Sequence, residues 1–231
     1  MPSIKKALHF LFSAQATAVS VGILGYGMST EWAVSKMSCS QTESVFTNGS
    51  AVVSYALFNG TIVRGSCPVF GGGKPFQVFE KLAETGGAPQ ILHGIVITLL
   101  ALCLLCSAGS ILITLYNSVS NPYQTYMGPI GLYTCSSGSA CISFLVLILY
   151  VVNVQLTEMS EDLVKNDVGS ASFYLKDKTS EFQVGYYLLI PYMVLSLLAI
   201  LLVYLYEHAA YTHRQEQQRP TEDAPKEIMM Y

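Results

Sequence analysis

The chain has 231 residues, of which 52% are hydrophobic and only 12% charged, where soluble domains carry about 25% charged residues. Its formal net charge of -3 comes without a long basic or acidic block, which argues against nucleic-acid binding. Residues 85–157 contain no Asp, Glu, Lys or Arg, so the natural reading is one membrane domain of 1–231 rather than a globular enzyme.

The first predicted span is 7–29. It exceeds the usual core of a cleaved signal peptide, and Ala14, Ala18 and Gly22 recur at every fourth position. Such a stripe of small residues suits close helix packing, which favours retention in the bundle. Residues 30–90 form a first large loop with balanced charges. Within it, 50–58 is rich in strand formers, Asn59-Gly60 is a favoured hairpin pair and 61–64 can return as the partner strand. Phe76, Phe79, Leu82 and Ala83 then have the spacing of a short amphipathic helix.

The second span, 91–116, is long enough for a hydrocarbon core of about 30 Å. A turn follows over 117–130, and the third span is 131–155, where Gly131, Cys135, Ser139 and Ser143 repeat at four-residue intervals as a packing stripe. Leu156, Met159 and Leu163 among acidic residues predict that this helix continues beyond the bilayer. The second large loop, 156–183, holds a predicted short strand at 171–175 and a charged turn through Lys176-Asp-Lys178. The fourth span is 184–206, with Pro191 predicting a kink. The tail, 207–231, turns polar and Gln-rich after His208 and reads as disordered.

Four spans place both termini on one side. Asn48-Gly-Ser50 and Asn59-Gly-Thr61 are the only Asn-X-Ser/Thr triplets, and both lie in the first large loop. Glycosylation at Asn48 and Asn59 would make that loop extracellular and both termini cytoplasmic. Cys39 and Cys67 are the only cysteines outside the spans. In an oxidising compartment they would pair around the hairpin. Cys103, Cys106, Cys135 and Cys141 lie within spans two and three and read as small packing residues, since no histidine or second cysteine pair completes a metal site.

His93, the one ionisable side chain of the two central spans, reads as an interfacial or capping histidine, and Gln15 and Asn153 as residues able to bond across helices. No catalytic grouping, phosphate loop, cofactor motif or metal-ligand set is present, and no span carries the charge pair a coupled transporter needs. At the C-terminus, Ile228-Met-Met-Tyr231 offers Met229 and Tyr231 as a strand-like ligand for a PDZ groove.

The turn Asn117-Ser-Val-Ser-Asn-Pro-Tyr-Gln-Thr-Tyr-Met-Gly-Pro-Ile-Gly-Leu-Tyr133, the segment Tyr55-Ala-Leu-Phe-Asn-Gly60, the start Met1-Pro-Ser3 and the tail Arg214-Gln-Glu-Gln-Gln-Arg-Pro220 resemble the clarins over nearly the whole chain. The resemblance implies an all-α membrane protein: a four-transmembrane, left-handed helix bundle topped by a small extracellular β-sheet or hairpin, claudin-like in plan. Trp32, the Leu57-Phe58 step and Cys67 resemble the claudin signature, although Cys39 precedes that step rather than following it. The clarin likeness implies a non-enzymatic plasma-membrane organiser in sensory or epithelial cells. Such a protein would contact the lipid bilayer and other membrane proteins laterally, and actin-linked or PDZ scaffolds through its tail. A claudin-like barrier protein or auxiliary channel subunit is the alternative.

Overall fold

The computed structural model describes residues 4–40, 49–65, 71–119, 128–168 and 174–218. Four helical stretches are long and apolar enough to cross a membrane: Ala7–Ser29, Ala88–Val119, Gly128–Gln155 and Val184–Ala209. They belong to α1 (Ile4–Ser29), α3 (Ala88–Val119), α4 (Gly128–Gln155) and the pair α6 (Val184–Tyr187) and α7 (Leu189–Gln218). Neighbours around the bundle run α1, α3, α4, α7 and back to α1. Backbone groups in lipid have no water to bond, so each crossing satisfies them within a helix. The break between α6 and α7 falls at Leu188, one turn before Pro191, whose missing N–H frees the Tyr187 carbonyl.

A five-stranded antiparallel sheet caps one end, in the order β4-β3-β2-β1-β5. Its strands are β1 (Ala33–Ser40), β2 (Gly49–Tyr55), β3 (Asn59–Gly65), β4 (Gly71–Gln77) and β5 (Tyr174–Phe182), so both large loops contribute. The predicted hairpin exists with a different turn. Chain reversal falls over Ala56, Leu57 and Phe58, closed by an Ala56 N–H to Asn59 O bond of 2.8 Å, and Asn59-Gly60 lie inside β3. Burial decides this, because Leu57 is wholly covered at that reversal and sinking an aliphatic side chain outweighs local turn preference.

The second loop also departs from expectation. Lys176-Asp-Lys178 is within β5, not a turn. The register slips between Lys36 and Ser38 of β1, and Asp177 opposite takes φ 55, as a bulge with a short polar side chain allows. Residues 171–173 of the predicted strand lie outside the described residues. The helix after α4 is separate: α5 (Met159–Val168) starts only after a break in which the Thr157 hydroxyl bonds back to the Asn153 carbonyl. At the other end, α7 continues helical to Gln218, through part of the tail read as disordered.

The main core lies beneath the sheet. Alternation along β1 and β2 turns Ala33, Met37, Ala51, Val53 and Tyr55 inward, onto Val78 and Leu82 of α2 (Val78–Thr85), Met159 and Leu163 of α5, and the first or last turns of the spans. A smaller cluster of Phe10, Leu132 and Val203 closes the opposite end.

Candidate functional site

The joint between sheet and bundle concentrates the residues singled out in the sequence. Trp32 follows α1 directly and is wholly buried. Its indole N–H donates to Gly27 O at 2.7 Å, a carbonyl of the last helical turn that also accepts from the Thr30 N–H and hydroxyl. Helix ends leave such carbonyls without intrahelical partners, so the indole stabilises the exit of α1 while it packs. Its ring meets Tyr150 of α4 edge-on at 4.9 Å, and Tyr150 stacks on Tyr186, which stacks on Phe182. A Cβ at Gly185 would fall 2.5 Å from Trp32 Cδ1. Only glycine permits that approach.

His93 is the second tie. It is fully buried, on the inward face of α3 five residues after that helix begins at Ala88. Its Nε2–H donates to Leu57 O at 2.8 Å, so the β2–β3 turn hangs from span two. Tyr55, inward on β2, is hydrogen bonded to Ser35 of β1 at 3.2 Å, and Ser35 to Ser180 of β5 at 2.7 Å. Burial pushes the Tyr55 phenol up to about 12, only partly offset by its hydroxyl contacts.

The second loop is fastened to the first by polar contacts. Arg64 of β3 pairs with Asp167 of α5 at 3.2 Å, with the side chains 11% and 14% exposed. The Asn166 amide donates to Lys81 O of α2 at 2.8 Å; within the second loop itself, Lys178 donates to Thr157 O at 2.9 Å. The joint couples the spans and both large loops mechanically. Among the described residues, no three His, Cys, Asp or Glu side chains converge as metal ligands would.

Asn59 is exposed at the start of β3, with Thr61 exposed two residues on, beside an open groove of about 540 Å³ lined by Asn59, Phe76, Gln77, Glu80 and Lys81. Cys39 is buried and disulfide-bonded, while Cys103, Cys106, Cys135 and Cys141 are free. Asn48, Cys67, Met229 and Tyr231 lie outside the described residues. Trp32 and Leu57 of the family motif are buried together in the core, whereas Phe58 is 47% exposed.

The packing stripes need correction. Ala14 is buried, but Ala18 and Gly22 are exposed, and a Cβ at Gly22 would meet nothing within 4 Å. The inward face of α1 is instead Phe10, Ser13, Thr17, Ser20 and Leu24, alternating three- and four-residue steps. In α4, Ser139 and Ser143 are buried while Gly131 and Cys135 are half-buried, because the face turns towards Leu132, Ser136 and Ala140. Cys141 is exposed. Gln15 points outward, and Asn153 donates to Met159 Sδ at 3.2 Å rather than to another span. On α2 the covered face is Val78 and Leu82, leaving Phe79 and Ala83 exposed.

Hydroxyls inside the bundle bond from span to span. Ser107 of α3 is hydrogen bonded to Tyr192 of α7 at 2.8 Å, Ser110 to Ser136 of α4 at 2.9 Å, and Ser13 donates to Ala199 O at 2.9 Å. Their recurrence at three- and four-residue steps was the available signal.

Four spans capped by a sheet from both connecting loops define a four-span multi-pass membrane protein. No model of a known protein family matches the chain. It is 31% identical to human Clarin-3 and 33% identical to rat Clarin-3, in each case across 100% of both chains. Human Clarin-1 matches at 24% over 82% of this chain and 83% of its own length. The chain belongs to the clarin family.

Proposed function

We propose that this protein is a non-enzymatic organiser of the plasma membrane, linking lateral membrane assemblies to actin-associated partners, in sensory or epithelial cells. The observation that carries the reading is continuity. Two loops join in one sheet, the sheet is locked to the spans at Trp32 and His93, and α7 continues beyond the apolar stretch ending at Ala209 as far as Gln218. A contact on the sheet thereby reaches the far side through packed helix. In this reading the sheet is extracellular, sugar sits on Asn48 and Asn59, and Cys39 is bonded to Cys67. Four of the six cysteines are free, which supports that pairing. Both termini are cytoplasmic, with Met229 and Tyr231 recruiting PDZ-containing or actin-linked scaffolds. The sheet over four spans, with Trp32 and Leu57 beneath it, supports a claudin-like plan, and the bundle in this reading is left-handed.

The second reading, a claudin-like barrier or auxiliary channel subunit, draws on charged side chains exposed on the sheet, among them Lys36, Lys74, Lys176, Asp177 and Glu181. Proximity labelling from the tail separates the two, comparing the full chain with one lacking residues 228–231 in a polarised cell. The organiser reading expects actin-linked or PDZ-containing neighbours that disappear on truncation. Junctional strand proteins, unchanged by truncation, would favour the barrier reading instead.

A further inference from the structure

The helix α2 is apolar over a wider arc than the protein covers. At 3.6 residues per turn, Val78, Leu82, Phe79 and Ala83 share one continuous side, and Glu80, Lys81 and Glu84 occupy the other. Val78 and Leu82 are buried in the core, whereas Phe79 is 47% exposed. The β2–β3 turn ends alongside, where the Val78 N–H donates to Phe58 O at 2.8 Å and the Phe58 ring is equally exposed.

Both rings are held at the level of the first turns of α3. Leu57 O is bonded to His93, and a Cβ at Gly94 would sit 3.8 Å from the Phe79 ring. On that same helix Ile91 and Ile95 are exposed. The hydrocarbon core needs about twenty residues of α3, which has 32. Centring that stretch on the helix puts Gly94 at its edge.

We infer that Phe58 and Phe79, with Ala83, form an apolar foot that rests in the lipid leaflet on the sheet side. The occupant is lipid because the patch continues the membrane-facing surface of α3 without an intervening charge. Lys81 and Glu84 pair with one another at 3.2 Å on the other side of α2. A short amphipathic helix with its apolar face at the headgroup boundary is an ordinary interfacial anchor. The foot fixes the height and tilt of the sheet above the bilayer, in addition to the two ties beneath it.

The test uses the full chain in lipid nanodiscs with tryptophan placed singly as Phe79→Trp, Phe58→Trp and, for reference, Val63→Trp on the opposite side of the sheet. The one native tryptophan, Trp32, is wholly buried and supplies a constant background. The added emission at 79 and at 58 should fall several-fold in lipids brominated near the headgroup end of the acyl chains and stay unchanged with aqueous iodide. The reference should show the reverse. The inference is overturned if 79 and 58 respond to iodide as the reference does. It is equally overturned if neither quencher reaches them, which would mean that protein covers the patch.

Discussion

At the sheet end, the spans are wedged by large rings. Trp32, Tyr150 and Tyr186 interlock, and position 185 takes glycine because the Trp32 ring fills the space where a Cβ would stand. Farther along the same helices the interior is built from small hydroxyls: Ser107, Ser110 and Thr114 on α3, Ser136, Ser139 and Ser143 on α4, Ser13 and Thr17 on α1. The difference follows from the surroundings. Beneath the sheet there is water to escape, so burying a ring is favourable in itself. Within the bilayer, lipid is as apolar as leucine, and helices associate through close approach and polar contacts instead.

Two substitutions probe the sheet end. Trp32→Ala removes a ring that joins α1, α4 and the α6 turn, and it leaves Gly27 O without its indole donor. We expect a loss of about 4 kcal/mol, measured by circular dichroism during chemical unfolding of the full chain in mixed micelles. A loss no larger than that of a bilayer serine would erase the contrast. Arg64→Ala comes next. It leaves Asp167 without its partner in a setting that keeps a little water, so about 2 kcal/mol is expected, below the range for fully buried pairs. Adding Asp167→Leu should recover part of that loss, and a double variant worse than Arg64→Ala alone would sink the account.

The spans were legible because lipid demands an uninterrupted apolar run, and no other element writes so long a signal. Helix faces were less so. The regular spacing of Ala14, Ala18 and Gly22 is a plausible stripe, yet the packed side of α1 uses Ser13, Thr17 and Ser20, which interrupt the hydrophobic run in sequence and look like defects in it. In the sheet, β2 showed through its strand formers and β3 as the return strand beside Asn59-Gly60. The strand β1 did not, since Lys36 and its serines resemble loop, and besides its neighbour β2 it pairs with β5 more than a hundred residues away. Non-local pairing leaves no local trace. The same holds at the joint: nothing adjacent to His93 in sequence announces Leu57 O as its partner.

The smallest effect is the most informative about the bilayer end. Ser110→Ala deletes a hydrogen bond to Ser136 and should cost about 0.6 kcal/mol, the usual scale for a polar contact between spans. Ser110→Leu deletes the same bond and adds bulk where α3 and α4 run close together, since a Cβ at Gly109 one residue before would already touch Cys135 Sγ at 3.7 Å. If close approach holds this end, the leucine variant unfolds at clearly lower denaturant than the alanine variant. If the hydrogen bonds hold it, the two unfold together, and the hydroxyls are the glue rather than a consequence of small size.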